Sequence, residues 1–237
     1  MIVDLQDVVV RHPRSSFQMA IPSVQIDAGE FVAVGGPSGT GKSTLLDVCA
    51  GMIAATSGKV EVLDLDLRKR RARRVVRRRG TYLVQRGSVV EYLTALENIV
   101  VAGEIAGIRR DIPAARAALE TVGLLDQAAS RVSNMSGGQR QRVAMASAVY
   151  RRSPLVWADE PTSALDAANS DLVLAGLRDL AHQAGAAVMC VTHDTVRAEA
   201  FADRLLVIRD GSVVEDLRRT DPSMTTQAPP THEGVLR

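Results

Sequence analysis

Phe31-Val-Ala-Val-Gly-Gly-Pro-Ser-Gly-Thr-Gly-Lys-Ser43 is the stretch that decides the fold of this 237-residue chain. It begins as a short β-branched, apolar run typical of a buried strand, and a helical pattern that ends at Gly51 follows it. Between strand and helix the residues fit the pattern G-x-x-x-x-G-K-[ST], whose backbone N–H groups surround phosphate oxygens. Strand, glycine loop and helix in this order open the α/β folds that bind nucleotides. The predicted phosphate-binding residues are Gly36, Pro37, Ser38, Gly39, Thr40, Gly41, Lys42, Ser43 and Thr44.

The composition is that of a folded domain, with 46% hydrophobic and 24% charged residues. Aromatic residues make up only 3%, so aliphatic side chains must fill the core. The longest apolar runs, such as residues 186–191, are far shorter than the roughly 20 residues of a membrane-spanning helix. Two cysteines, Cys49 and Cys190, and a start without a secretory pattern predict a reduced, cytoplasmic setting. Any role at a membrane would then require a partner.

A helical segment is predicted at about residues 94–152, between two strand-rich parts. Thr94 and Glu97 have the spacing of a capping box, and a second helix is predicted from Asp111 to Val122. A third helix follows from about residue 138 to 152. Strand patterns return at 155–158, 187–191 and 205–208, and the last predicts a hairpin with residues 213–214. We expect one domain over residues 1–220 and a flexible tail over 221–237.

Two adjacent carboxylates, Asp159 and Glu160, end the apolar strand that starts at Leu155. Successive strand residues point to opposite faces, so the two acids are free to do different work. Asp159 is the candidate for holding Mg²⁺ together with the hydroxyl of Ser43, and Glu160 is the candidate general base. An Asp-Glu pair is by itself usually a solvated strand end.

Ser136-Gly137-Gly138-Gln139 opens the third predicted helix, and its hydroxyl and backbone N–H groups suit an anion. With the glycine loop before it and the acid pair after it, this segment resembles the signature of the ATP-binding cassette (ABC) family. Met135 stands where that family usually has Leu. The resemblance covers roughly residues 1–217. It implies a P-loop NTPase fold with a RecA-like core, an antiparallel β subdomain and an inserted helical subdomain.

The resemblance also implies further site residues. Gln85 matches the glutamine that touches Mg²⁺ or the attacking water, and Asp166 lies in the loop that crosses between subunits. His193 matches the histidine that contacts the γ-phosphate. The aromatic residue that stacks on adenine in the family falls at or near His12, so the preference for adenine over guanine stays open. The signature residues Ser136, Gly137, Gly138 and Gln139 would face the γ-phosphate held by the other subunit.

The function implied is an ATPase subunit that dimerises around two ATP molecules, with Mg²⁺, and drives separate membrane permease subunits. The chain looks like the short ATPases of macrolide-exporting and lipoprotein-releasing systems, which implies export or extrusion from the cytoplasmic face of the membrane. The alternative is a non-transport ABC ATPase that transmits mechanical change or acts on nucleic acid or the ribosome. A cassette that only binds ATP is disfavoured because Glu160 and His193 are both present.

One basic run stands apart from the mildly acidic remainder. It comprises Arg68, Lys69, Arg70, Arg71, Arg73, Arg74, Arg77, Arg78 and Arg79. Outside it, 20 basic residues face 27 acidic ones, so the charge gives little support for a nucleic-acid partner. A solvated arginine-rich helix is the simpler interpretation, and contact with anionic lipid headgroups is the other.

Overall fold

The computed structural model describes residues 1–11, 17–84 and 88–219. Ten strands and seven α-helices fall within them. The strands are β1 (Val3–Arg11), β2 (Gln18–Ile26), β3 (Phe31–Gly35), β4 (Ser57–Val62), β5 (Leu65–Asp66), β6 (Thr81–Val84), β7 (Leu155–Asp159), β8 (Ala187–Val191), β9 (Arg204–Arg209) and β10 (Ser212–Arg218). The helices are α1 (Lys42–Cys49), α2 (Arg70–Arg79), α3 (Ala95–Ala106), α4 (Ile112–Thr121), α5 (Gly137–Tyr150), α6 (Ala167–His182) and α7 (Thr195–Glu199).

The larger sheet has six strands in the order β10-β9-β3-β8-β7-β6. All neighbours in it run parallel except β9 and β10, which form the predicted hairpin. Every residue of β3 and β8 is buried, as expected for parallel strands covered on both faces. Because β3, β7 and β8 are parallel, the residues that follow them meet at one edge of the sheet. Those are the glycine loop, the acid pair and the segment with His193.

The smaller sheet is antiparallel, in the order β2-β1-β4-β5. It packs with α1 on one face of the larger sheet, where Val32 and Val34 of β3 point. Phe31 and Ala33, the alternate residues of the same strand, point into a second core that α5 and α6 cover. The period-2 alternation of β3 thus divides the hydrophobic interior into two layers, and both are built mainly from aliphatic side chains.

The helical segment predicted between the strand-rich parts contains α3, α4 and α5. The capping box of α3 is confirmed, since the Thr94 hydroxyl accepts from the Glu97 N–H and the Glu97 carboxylate accepts from the Thr94 N–H. Asp111 caps α4 through the N–H of Ala114. Two short 3₁₀ turns, Leu125–Gln127 and Val132–Asn134, lead into α5. Helix α5 packs against α3 and α4 on one side and against α6 on the other.

The basic run forms α2, whose inward stripe is only Ala72 and Val76. Its C-terminal residue Arg79 precedes Gly80 and then β6, so the predicted order of arginine-rich helix and strand is confirmed. The predicted tail lies outside the described residues. No helix in the described ranges is long and apolar enough to cross a bilayer.

Candidate active site

Side chains of the phosphate loop donate hydrogen bonds to carbonyl groups of the same loop. The ammonium of Lys42, which is 8% exposed, donates to the carbonyl oxygens of Gly36 and Pro37, each at 2.7 Å. The Thr40 hydroxyl donates to the carbonyl of Pro37 at 2.9 Å. Gly41 caps α1 with a φ of 104°, a conformation that favours glycine, and no side chain caps this helix. The N–H groups at the start of α1 therefore have no side-chain cap, and free N–H groups at a helix start suit an anion.

Ser43 and Asp159 lie together although they are far apart in sequence. The Ser43 hydroxyl donates to the Asp159 carboxylate at 3.1 Å. Burial raises the pKa of Asp159, and the nearby charges of Glu160 and Asp47 raise it further, against the hydrogen bond from Ser43. Two oxygen ligands beside a phosphate loop, in a region with excess negative charge, suit Mg²⁺, which is usually held by one or two protein oxygens together with substrate phosphates. The residues therefore fit the metal.

Glu160 does not continue the alternation of strand β7, because the backbone turns at this residue. Strand β7 ends at Asp159, and Glu160 has a φ of +50°, which turns the chain at that point. Its N–H donates to the carbonyl of Val191 at the end of β8. Glu160 lines the loop pocket while Asp159 accepts from Ser43, so the two neighbouring acids contact different groups.

The imidazole of His193 lies next to Glu160, with its Nδ1 at 2.8 Å from the carboxylate. His193 follows β8, the neighbour of β7, so sheet order brings the two side chains together. The imidazole is mostly exposed while the carboxylate is mostly covered. This hydrogen bond fixes the imidazole and the carboxylate relative to each other beside the pocket that Glu160 lines.

One open pocket contains the loop and the carboxylate. Its lining residues are Phe17, Ser38, Gly39, Gly41, Lys42, Ser43, Thr44, Glu160 and Val191. Phe17 was not among the predicted site residues. The ring lies so close to the loop that a Cβ on Gly41 would be 2.8 Å from its Cζ atom. The sequence does contain a signal for Phe17, because this aromatic residue follows a polar stretch and comes just before the second strand.

The signature segment is not part of this pocket. Ser136 and Gln139 bond each other in a capping box, in which the Ser136 hydroxyl accepts from the Gln139 N–H. A hydroxyl that accepts in this way keeps its own proton to donate. Gly138 is buried against α6, where a Cβ on it would lie 2.7 Å from the Asn169 amide oxygen.

Asp166 caps α6, and its carboxylate accepts from the backbone and side-chain N–H groups of Asn169. These bonds lower the pKa of Asp166. Asn169 was missed by the sequence analysis, although its spacing of three residues from a helix-capping Asp is a detectable signal. Gln85 and His12 lie outside the described residues, so their predicted roles stay predictions.

The comparisons with known proteins identify the family of this chain. A family model described as ABC transporter matches residues 20–163. The chain belongs to the ABC transporter family. It is 36% identical over 206 residues to the phosphonates import ATP-binding protein PhnC of Frankia casuarinae, covering 82% of this chain and 81% of that protein. It is 38% identical over 215 residues to the macrolide export ATP-binding/permease protein MacB of Bradyrhizobium diazoefficiens, covering 89% of this chain and 32% of that protein.

Among solved structures, this chain is similar to the ABC cassette MJ0796, whose structure is a dimer in a post-hydrolysis state bound to ADP and phosphate. The TM-score is 0.76 at 28% identity, covering 93% of this chain and all of that one. The expected P-loop ABC fold is therefore confirmed. As a member of this family the chain is an ATP-binding, ATP-hydrolysing transporter subunit of a kind that dimerises, and the comparisons lend no support to a non-transport role.

Proposed function

We propose that two copies of this chain close head to tail around two ATP molecules, each bound between the loop of one copy and the signature of the other. The observation that carries this proposal is the separation of two anion-binding elements within one chain. Among the described residues, none from Ser136 to Gln139 lines the pocket that holds Lys42 and Glu160. An exposed signature can contact the phosphates that a second copy presents to it. The solved cassette dimer to which this chain is similar supports that arrangement.

The proposed chemistry uses residues at and beyond the carboxyl ends of three neighbouring strands, β3, β7 and β8. The loop N–H groups and Lys42 bind phosphate oxygens, and Ser43 with Asp159 would hold Mg²⁺, which offsets phosphate charge when bound. The Glu160 carboxylate takes the proton of the attacking water, and His193 fixes the orientation of that carboxylate through the bond at 2.8 Å. From the partner copy, Ser136, Gly137 and Gly138 donate to the terminal phosphate.

We further propose that separate permease subunits hold the dimer at the cytoplasmic face of the membrane and that transport is outward. Relatives named for macrolide export support the direction. Relatives named for phosphonate import match over a similar share of the chain. A transport assay with the reconstituted complex decides direction, and uptake instead of extrusion would overturn that part.

Glu160→Gln tests the catalytic assignment. The amide keeps the shape of the side chain but cannot take a proton, so turnover should fall by a factor of about 10² or more. ATP binding should persist, and a dimer should accumulate in size-exclusion chromatography with light scattering. Glu120→Gln, an exposed change on α4, is the matched control. Turnover equal to that of the control would remove Glu160 from the proposed role.

A further inference from the structure

The surface around α2 carries a concentration of positive charge that the ATPase site does not use. Seven of the ten residues of α2 are arginine, and the helix contains no acid. Beside it runs a groove lined by Arg74, Arg77, Arg78 and Arg151, with Ala102 and Ile105 of α3 as its apolar wall. We call α2 and this groove together the arginine surface.

Several of these arginines are held by neutral partners. Arg73 donates to the carbonyls of Leu67 and Arg68, and Arg77 donates to the carbonyl of Gly51. Arg78 donates to the carbonyl of Ala106 at the end of α3. These contacts fix where the guanidinium groups lie and leave their charges uncompensated.

Carboxylates are scarce around the arginine surface. Among the described residues, the basic run forms one ion pair, between Arg68 and Asp66, before the helix begins. Glu104 on α3 is next to Ile105 in sequence but does not line the groove. Because like charges at this density repel, the surface is suited to a ligand with several negative charges.

Apolar side chains are exposed within the same surface. Ile105 is 76% exposed at the wall of the groove, and Val75 is 36% exposed between Arg74 and Arg77. Four arginines of α2, Arg70, Arg71, Arg74 and Arg79, are exposed on the helix that carries Val75. Cations mixed with exposed aliphatic groups suit the boundary between lipid headgroups and acyl chains.

We propose that the arginine surface binds the phosphate headgroups of anionic phospholipids. The exposed guanidinium groups of Arg70, Arg71 and Arg74 contact headgroup phosphates, and the exposed aliphatic side chains of Val75 and Ile105 contact the acyl region. A leaflet is favoured over an acidic protein segment because exposed aliphatic side chains, Val75 and Ile105, lie among the cations, and this mixture suits the boundary between headgroups and acyl chains. The proposal goes beyond the ATPase function and does not depend on the nucleotide site.

The test is co-sedimentation of the full chain with two kinds of vesicle, phosphatidylcholine alone and phosphatidylcholine with phosphatidylglycerol. The variant is Arg70→Gln/Arg71→Gln/Arg74→Gln, which spares Arg73, Arg77 and Arg78 because those hold backbone carbonyls. Each basic residue near an anionic surface is worth roughly fivefold in binding, so the triple variant should bind roughly a hundredfold more weakly. A matched control is Arg116→Gln/Arg131→Gln/Arg219→Gln, which removes the same charge from exposed positions elsewhere.

Wild type and control should bind the phosphatidylglycerol vesicles far better than the neutral ones, and added salt should weaken that binding. The lysine variant Arg70→Lys/Arg71→Lys/Arg74→Lys should bind nearly as well as wild type, because the interaction depends on charge. Nucleotide titration and thermal melting of each variant show separately that the fold and the ATP site are intact.

Equal binding to both vesicle types, or equal loss in the variant and the control, would overturn the proposal. Vesicle binding that is absent in wild type, together with loss of permease co-purification in the α2 variant, would assign the surface to a protein contact and overturn it too. Loss of ATP binding in Glu160→Gln would instead count against the proposed catalytic site and leave the lipid test unaffected.

Discussion

Gly36 and Gly39 lie in the same loop but are glycine for different physical reasons. A Cβ on Gly36 would be 2.1 Å from the carbonyl oxygen of Ile208, and its φ is +133°. Around Gly39, whose φ is +78°, no other atom lies within 4 Å of the Cβ position. Gly36 is therefore required by the packing of the loop against β9, whereas Gly39 keeps space clear on the phosphate side.

Gly36→Ala should accordingly destabilise the fold by about 3 kcal/mol, since backbone atoms must move. Gly39→Ala should cost only about 1 kcal/mol from its left-handed conformation but should weaken nucleotide binding strongly. Urea unfolding and nucleotide titration of both variants measure this difference. Equal losses of stability would contradict it.

The negative charge of Asp159 serves the candidate site but lowers the stability of the fold. Its pKa is raised in the folded state, mainly by burial, so the folded state binds more protons than the unfolded state between pH 3.8 and the raised value. This contribution makes stability fall as the pH rises through that window, and the cost is complete once the pH exceeds the raised pKa.

Asp159→Asn should therefore melt at a higher temperature than wild type at pH 7 in the absence of nucleotide and divalent cations. The amide oxygen still accepts from Ser43, and the advantage should shrink toward pH 3.8. ATP hydrolysis should be lost. Calorimetry over this pH range checks the sign, and a variant less stable than wild type at pH 7 would show it to be wrong.

At the scale of elements, the first turns of α5 and α6 contact each other. Gly138 of α5 lies against Asn169 of α6, and Asn169 is held by Asp166, which caps α6. The signature and the loop predicted to cross between subunits are thus mechanically one unit. A change at either helix start is expected to move the other.

Gly138→Ala should push the two helix starts apart and reduce ATP-dependent dimerisation, although alanine favours a helix. Asn169→Ala in the same chain removes the atom that the new methyl group meets, so the double variant should recover part of the dimer. The coupling energy between the two changes is read from dimer dissociation constants in a double-mutant cycle. Strictly additive effects would mean that the two helix starts are independent.

At the scale of the whole molecule, each proposed ATP site takes its parts from two chains. Lys42→Ala disables the loop of one chain, and Ser136→Arg blocks the signature of the other. Neither variant alone has an intact site, but their heterodimer has one, made from the loop of the Ser136→Arg chain and the signature of the Lys42→Ala chain. Mixing them should restore nucleotide-dependent association and some turnover. A mixture as inactive as its components would exclude the shared site.

The amino-acid sequence alone determined the features that depend on neighbouring residues. The phosphate loop, the caps at Thr94, Asp111 and Ser136, and the hairpin of β9 and β10 follow from backbone preferences and side-chain bonds within a few positions. The ABC family follows from the order of three such local motifs.

Only the tertiary structure decided the contacts between distant segments. Ser43 meets Asp159 across 116 positions, and Glu160 meets His193 across 33. Strand order and the left-handed turn at Glu160 set these distances, and neither is encoded in any short stretch. Helix α2 shows the same division. Its sequence predicts a helix, but only its packing decides that Arg73, Arg77 and Arg78 are the arginines that donate to carbonyl groups.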